Sequence, residues 1–122
     1  MKKALVTYLT IFLLLIPVTS IAGQYDGIWE MDLSPGDFSI ARQVGDTMVI
    51  IVFDLNDSSE VFIGTMNGNV GTFTEYGNGS QKLSFTAQFT SSTTCNVVFT
   101  ACSGDCISSP PMNTPYLYNK IF

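Results

Sequence analysis

The segment Leu83-Ser84-Phe85-Thr86-Ala87-Gln88-Phe89-Thr90 alternates apolar and polar residues without exception. A period of two suits a strand with one face in a core and the other in water, and no helix, whose apolar positions recur every three to four residues. Leu83, Phe85, Ala87 and Phe89 are therefore expected to point inward. Val61/Ile63 and Val70/Thr72/Thr74 alternate less cleanly. Residues 48–53 form a continuous apolar run rich in β-branched side chains, which suits a strand covered on both faces. Lys and Glu, the usual solvent-face residues of helices, are nearly absent beyond residue 22, and no window there predicts a helix.

Turn signals cut the chain at intervals of about 8 to 12 residues, the spacing of an up-and-down meander. Val44-Gly45-Asp46 parts two strands and residues 54–59 form a polar loop. Asn67-Gly68 matches the central pair of a type I′ hairpin, in which both residues take positive φ. Residues 76–80 and 91–94 close the next two hairpins. Eight strands are expected, near 25–31, 37–43, 47–53, 60–66, 69–76, 82–90, 95–101 and 115–121. Residues 108–115, with Pro110-Pro111 and Pro115, cannot pair in a central strand and read as a long connection or an edge crossing. Eight antiparallel strands can close into a small barrel, which removes exposed edges; a rolled sheet or sandwich is the alternative.

Met1-Lys2-Lys3, an apolar run from Ala4 to Ile16, Pro17 and then Ser20-Ile21-Ala22 have the order of a secretory signal, with small residues before the cleavage point. The expectation is a signal helix over residues 1–22, with cleavage after Ala22, and a single all-β domain over 23–122. The apolar run from Leu5 to Val18 is shorter than the ~20 residues a membrane-spanning helix needs. Periplasm, cell surface or medium follows as the location, with no stable membrane insertion once the signal is removed. Residues 23–122 hold ten acidic and three basic residues, Arg42, Lys82 and Lys120, a net charge of −7. So few cations exclude nucleic acid as a partner. There is no histidine, which removes the commonest general base and metal ligand.

Tyr25-Asp26-Gly27-Ile28-Trp29, then residues 34–40 with Ser34-Pro35-Gly36, then Gln43-Val44-Gly45-Asp46-Thr47 resemble the opening of a loose family of exported bacterial all-β modules. In that family a Gly-x-Trp strand leads to a Gln-x-Gly-Asp-Thr hairpin. The resemblance runs on to Tyr118-Asn119-Lys120-Ile121-Phe122 and implies an exported β-domain, with no particular chemistry. Glu30 stands where the family often has a second aromatic residue. Gly27-Ile28-Trp29 is also similar to the first strand of lipocalin-like and avidin-like barrels, where such a Trp plugs one barrel end or meets a ligand.

Asp26, Glu30 and Asp32 fall on alternate positions of the first strand and so could share a face, as an acid–base carboxylate pair must; a solvated strand face accounts for them equally. Residues 54–60 offer several oxygen ligands for calcium but lack the EF-hand glycine and distant glutamate. Asn56-Asp57-Ser58 and Asn78-Gly79-Ser80 fit the glycosylation acceptor pattern and also read as ordinary turns. Of three cysteines, Cys102 and Cys106 flank Ser103-Gly104-Asp105. A three-residue hairpin loop there would oppose them across two strands at about 4.5 Å between Cα atoms, within disulfide range. Cys95 is then the leftover thiol, pointing coreward with Val97, Phe99 and Ala101.

The residues point to no enzyme and no cofactor or metal. The expected function is a non-enzymatic binding or surface-interaction module that contacts a protein or glycan; the alternative is a small carrier of an apolar ligand, and a carboxylate hydrolase ranks third. The interior separates the first two: a carrier needs a cavity of at least about 300 Å³. With strands of six to eight residues, a filled core is expected.

Overall fold

The computed structural model describes residues 23–53, 59–107 and 109–122. The leader expected at residues 1–22 lies outside them, as do residues 54–58 of the oxygen-rich loop, which include the Asn56 acceptor pattern. The strands are β1 (Gly27–Met31), β2 (Phe38–Val44), β3 (Thr47–Phe53), β4 (Ser59–Asn67), β5 (Val70–Tyr76), β6 (Gln81–Phe89), β7 (Thr94–Gly104) and β8 (Pro115–Lys120). Each pairs antiparallel with its sequence neighbours, and β1 pairs with β8 through Trp29 opposite Lys120 and Met31 opposite Tyr118. The expected eight-stranded meander is thus a closed barrel, and no described residue is helical.

The two barrel ends differ. At one end the connections are tight. Asn67 pairs with Val70, so the central pair of that hairpin is Gly68-Asn69 and not the expected Asn67-Gly68. Gly68 has φ 63° while Asn69 is not in the positive region, which is the type II′ pattern. Here the inward side chains are packed solid. Tyr25 stacks on Phe89 at 4.1 Å between ring centroids, and Trp29 meets the same ring edge-on at 5.3 Å. The Trp29 indole N–H donates to the Tyr25 carbonyl at 3.1 Å, so the buried donor is satisfied. Beside them the Phe73 ring lies flat over Gly64 and Gly71, where any Cβ would collide with it.

At the other end the connections are residues 32–37, the β3–β4 segment, residues 77–80 and residues 105–114. Leu83, Phe85, Ala87 and Phe89 all face the interior and are buried, as the strict alternation predicts. The outer side of β3 departs from expectation. The barrel is a single layer, no described element covers this side, and Val49 and Ile51 are half-buried while Phe53 is exposed. The strand pairing aligns Ile28, Ile40, Ile51, Val61 and Tyr76 in one outward row across β1–β5.

β7 runs to Gly104, three residues past its expected end, because β6 pairs along its whole length, down to Gln81 opposite Gly104. The register shifts once: Ser84 opposes Ala101 while Phe85 opposes Phe99, leaving Thr100 as a bulge. That extra residue inverts the alternation, so Ala101 faces out, against expectation, and Cys102 turns toward the core.

Candidate functional site

The barrel interior is filled at the closed end and hollow toward the open one. A cavity of about 690 Å³ lies between the strands, floored by Trp29 and Phe89, walled by Ile50, Phe62, Phe85, Val97, Phe99 and Tyr118, and rimmed by Met31, Val52, Glu60, Glu75, Gln81 and Pro110. This corrects the expectation of a filled core. An eight-stranded barrel has an interior just wide enough for side chains to fill, and here several inward positions are small: Ser39, Ala41, Val52, Ala87 and Val97. The large side chains crowd onto β4–β6 and the closed end. At the floor Trp29 and Ala87 are only 3% and 1% exposed, so the space narrows downward and most of the free volume lies near the rim.

Polar groups enter this apolar space at few points. The register places Trp29, Ser39, Val52 and Glu60 side by side across the inner faces of β1–β4. Ser39 is 6% exposed, and its hydroxyl has no hydrogen-bond partner among the described residues. No sealed-off side-chain oxygen in the described residues goes unpaired, so this oxygen faces the open volume. Glu75 opposes Phe62 on the next strand pair and accepts a hydrogen bond from the Leu83 backbone N–H at 3.0 Å, which leaves its other oxygen toward the rim. The sequence marks Glu60 only as the last residue of the oxygen-rich 54–60 segment and does not mark Glu75, and neither is expected there to line an interior. The signal was there: Glu60 shares parity with Phe62, and Glu75 with Gly71 and Phe73, all inward positions.

The sequence-predicted residues are placed otherwise. Trp29 sits low in the barrel, with the Lys120 ammonium 5.9 Å from its ring centroid, and forms part of the cavity floor. Asp26, Glu30 and Asp32 are not gathered around a cleft. Asp26 pairs with the Arg42 guanidinium and accepts from the Gln43 backbone N–H, each at 2.6 Å. Glu30 accepts from the Gly36 backbone N–H at 3.0 Å, and Asp32 accepts from the Asn119 amide at 3.5 Å. None of the three lines the cavity.

The Cys102–Cys106 disulfide is present, with Cα atoms 6.2 Å apart. The hairpin argued for it is not: Ser103 and Gly104 stay in the β6–β7 ladder, and Cys106 lies beyond the strand in the long connection. The bond staples the start of that connection to the rim, and the connection then returns to the barrel through Pro110 in the cavity wall and an Asn113 N–H to Phe99 carbonyl bond of 2.8 Å. Cys95 is the free thiol, buried in the lower wall, and burial pushes its pKa up to about 12. Tyr118, directly opposite on β8, is also raised, first by burial and then by the nearby Asp37 charge. Among the described residues, no helix is long and apolar enough to cross a membrane. Comparison with protein-family models, with curated proteins and with solved structures finds no match to this chain.

Proposed function

We propose that the chain is an exported, non-enzymatic binding protein that holds a small, largely apolar ligand inside its barrel. The observation that carries this reading is the cavity of about 690 Å³, within the ~300–1,000 Å³ range of small-molecule sites and lined, as those are, by apolar walls with a few polar groups. It is also the feature that separates a carrier from a filled structural module. The disulfide suits an oxidising compartment outside the cytosol. Ser84, Thr86, Gln88 and Asn96 make the outer faces of β6 and β7 polar over an apolar interior, whereas the outer row on β1–β5 is apolar. The engaged state of Asp26, Glu30 and Asp32 argues against hydrolase chemistry on the first strand.

The test is uptake of a neutral apolar fluorophore, N-phenyl-1-naphthylamine. Trp29 is the only tryptophan and lies at the cavity floor, so its emission is expected to fall by energy transfer as the probe brightens, with saturation at one probe per chain. No saturable uptake would sink the reading. A second reading, a surface module that docks a protein, draws on the outward row of Ile28, Ile40, Ile51, Val61 and Tyr76. Concentration-dependent sedimentation that Ile51→Lys abolishes would favour it.

A further inference from the structure

Charge is distributed unevenly along the barrel axis. Among the described residues, Glu30, Asp32, Asp37, Glu60, Glu75 and Asp105 lie toward the open end, and Lys82 is the only cation there. Lys82 points outward, with its ammonium donating to the Gly77 carbonyl at 2.9 Å. The other two cations, Arg42 and Lys120, are at the closed end with Asp26 and Asp46, where the signs balance. The mouth therefore carries a strong excess of negative charge over a low-dielectric interior, an arrangement that concentrates cations at the entrance. Two of the acids, Glu60 and Glu75, stand in the cavity rim itself, and the accessible Ser39 hydroxyl lies in the same inner row as Glu60. Below them the walls are apolar and aromatic down to Trp29.

We infer that the ligand is an amphiphilic cation, an organic ammonium with an apolar body. The body lies against Met31, Val52, Phe99 and Tyr116, the apolar lining residues that keep open surface above the Trp29 floor. The ammonium sits between Glu60 and the free oxygen of Glu75, within the reach of a charge-assisted hydrogen bond. An anionic amphiphile such as a fatty carboxylate is disfavoured twice, by the field at the mouth and by the two carboxylates at the neck. This inference rests on the reading of the cavity as a ligand site.

The experiment is displacement of bound N-phenyl-1-naphthylamine by decylammonium, decanol and decanoate at pH 7, three ligands that share one tail and differ in charge. Decylammonium is expected to displace the probe at about ten-fold lower concentration than decanol, with decanoate the weakest. Raising the salt to about 0.5 M should shrink that preference, because the screening length then falls to a few ångströms. Glu60→Gln and Glu75→Gln, which keep shape and the acceptor for the Leu83 N–H, should each narrow the gap between decylammonium and decanol while decanol itself is unaffected. Decanol equal to decylammonium, or decanoate stronger than either, would overturn the charge inference and leave the cavity reading standing. Failure of the probe and of all three ligands to bind would overturn both.

Discussion

Cys95 faces the core from the second residue of β7, 3% exposed, and pairs across the ladder with Tyr118. Both are acids held in their neutral form by burial, the thiol with its pKa pushed from 9.0 to about 12. Between those two values the unfolded chain has released the thiol proton while the folded chain keeps it. The folded state then binds more protons, so stability falls as pH rises; below pH 9 both states are protonated and the group contributes nothing. The urea midpoint is thus expected to stay level through neutral pH and to fall from about pH 9 upward, and Cys95→Ala should make that fall shallower. Iodoacetamide at pH 8 should label Cys95 only after unfolding, since the thiolate is the reactive form. A midpoint that holds level to pH 11 would contradict the burial. The inward aim of Cys95 was legible from parity with Val97 and Phe99. Glu60 and Glu75 obey the same parity, yet a glutamate at an inward position acquires meaning only once the strand ends, and hence the rim, are located.

The elements themselves were legible because two independent signals, alternation and turn residues, agree at most boundaries; β6, with its strict alternation, is the clearest case. The places where the reading slipped are places where pairing, and not local pattern, decides. The Thr100 bulge is one. Nothing in Phe99-Thr100-Ala101-Cys102 announces an extra residue, yet it turns Cys102 inward to the rim, where its partner Cys106 can hold the long connection. A cross-link over so short a loop removes little chain entropy, so replacing both cysteines with serine should lower stability by about 2 kcal/mol or less. The larger effect is expected locally, because residues 105–114 supply Pro110 to the cavity rim and are tied back besides by the Asp105 N–H to the Ser80 carbonyl, the Asn113 N–H to the Phe99 carbonyl and Met112 against the core. Limited proteolysis should cut the double variant within this connection while the wild type resists, and probe affinity should drop more than the urea midpoint. Equal proteolytic patterns would mean that the staple does not shape the rim.

On the scale of the molecule, what strand patterns cannot reveal is how much space they enclose, because interior volume is a sum over all eight inner faces at each level. Here Met48, Met66, Phe73 and Tyr25 fill the closed end, while Ser39, Ala41, Val52 and Val97 underfill the level above. The sign of one substitution distinguishes a hollow interior from a filled one. Ser39→Val adds apolar volume at a β-compatible position of β2 and removes a hydroxyl that lacks a partner among the described residues. In a packed core the added bulk would force side chains off their rotamers and cost about 1–3 kcal/mol. Facing open volume, the same change adds contacts without strain and should stabilise by about 0.5–2 kcal/mol, the usual return from cavity filling. The variant is therefore expected to have a higher urea midpoint and a weaker hold on N-phenyl-1-naphthylamine, since both effects draw on the same space. A lower midpoint would mean that the level of Ser39 is already full, and the barrel would then have no room for a ligand beside Trp29.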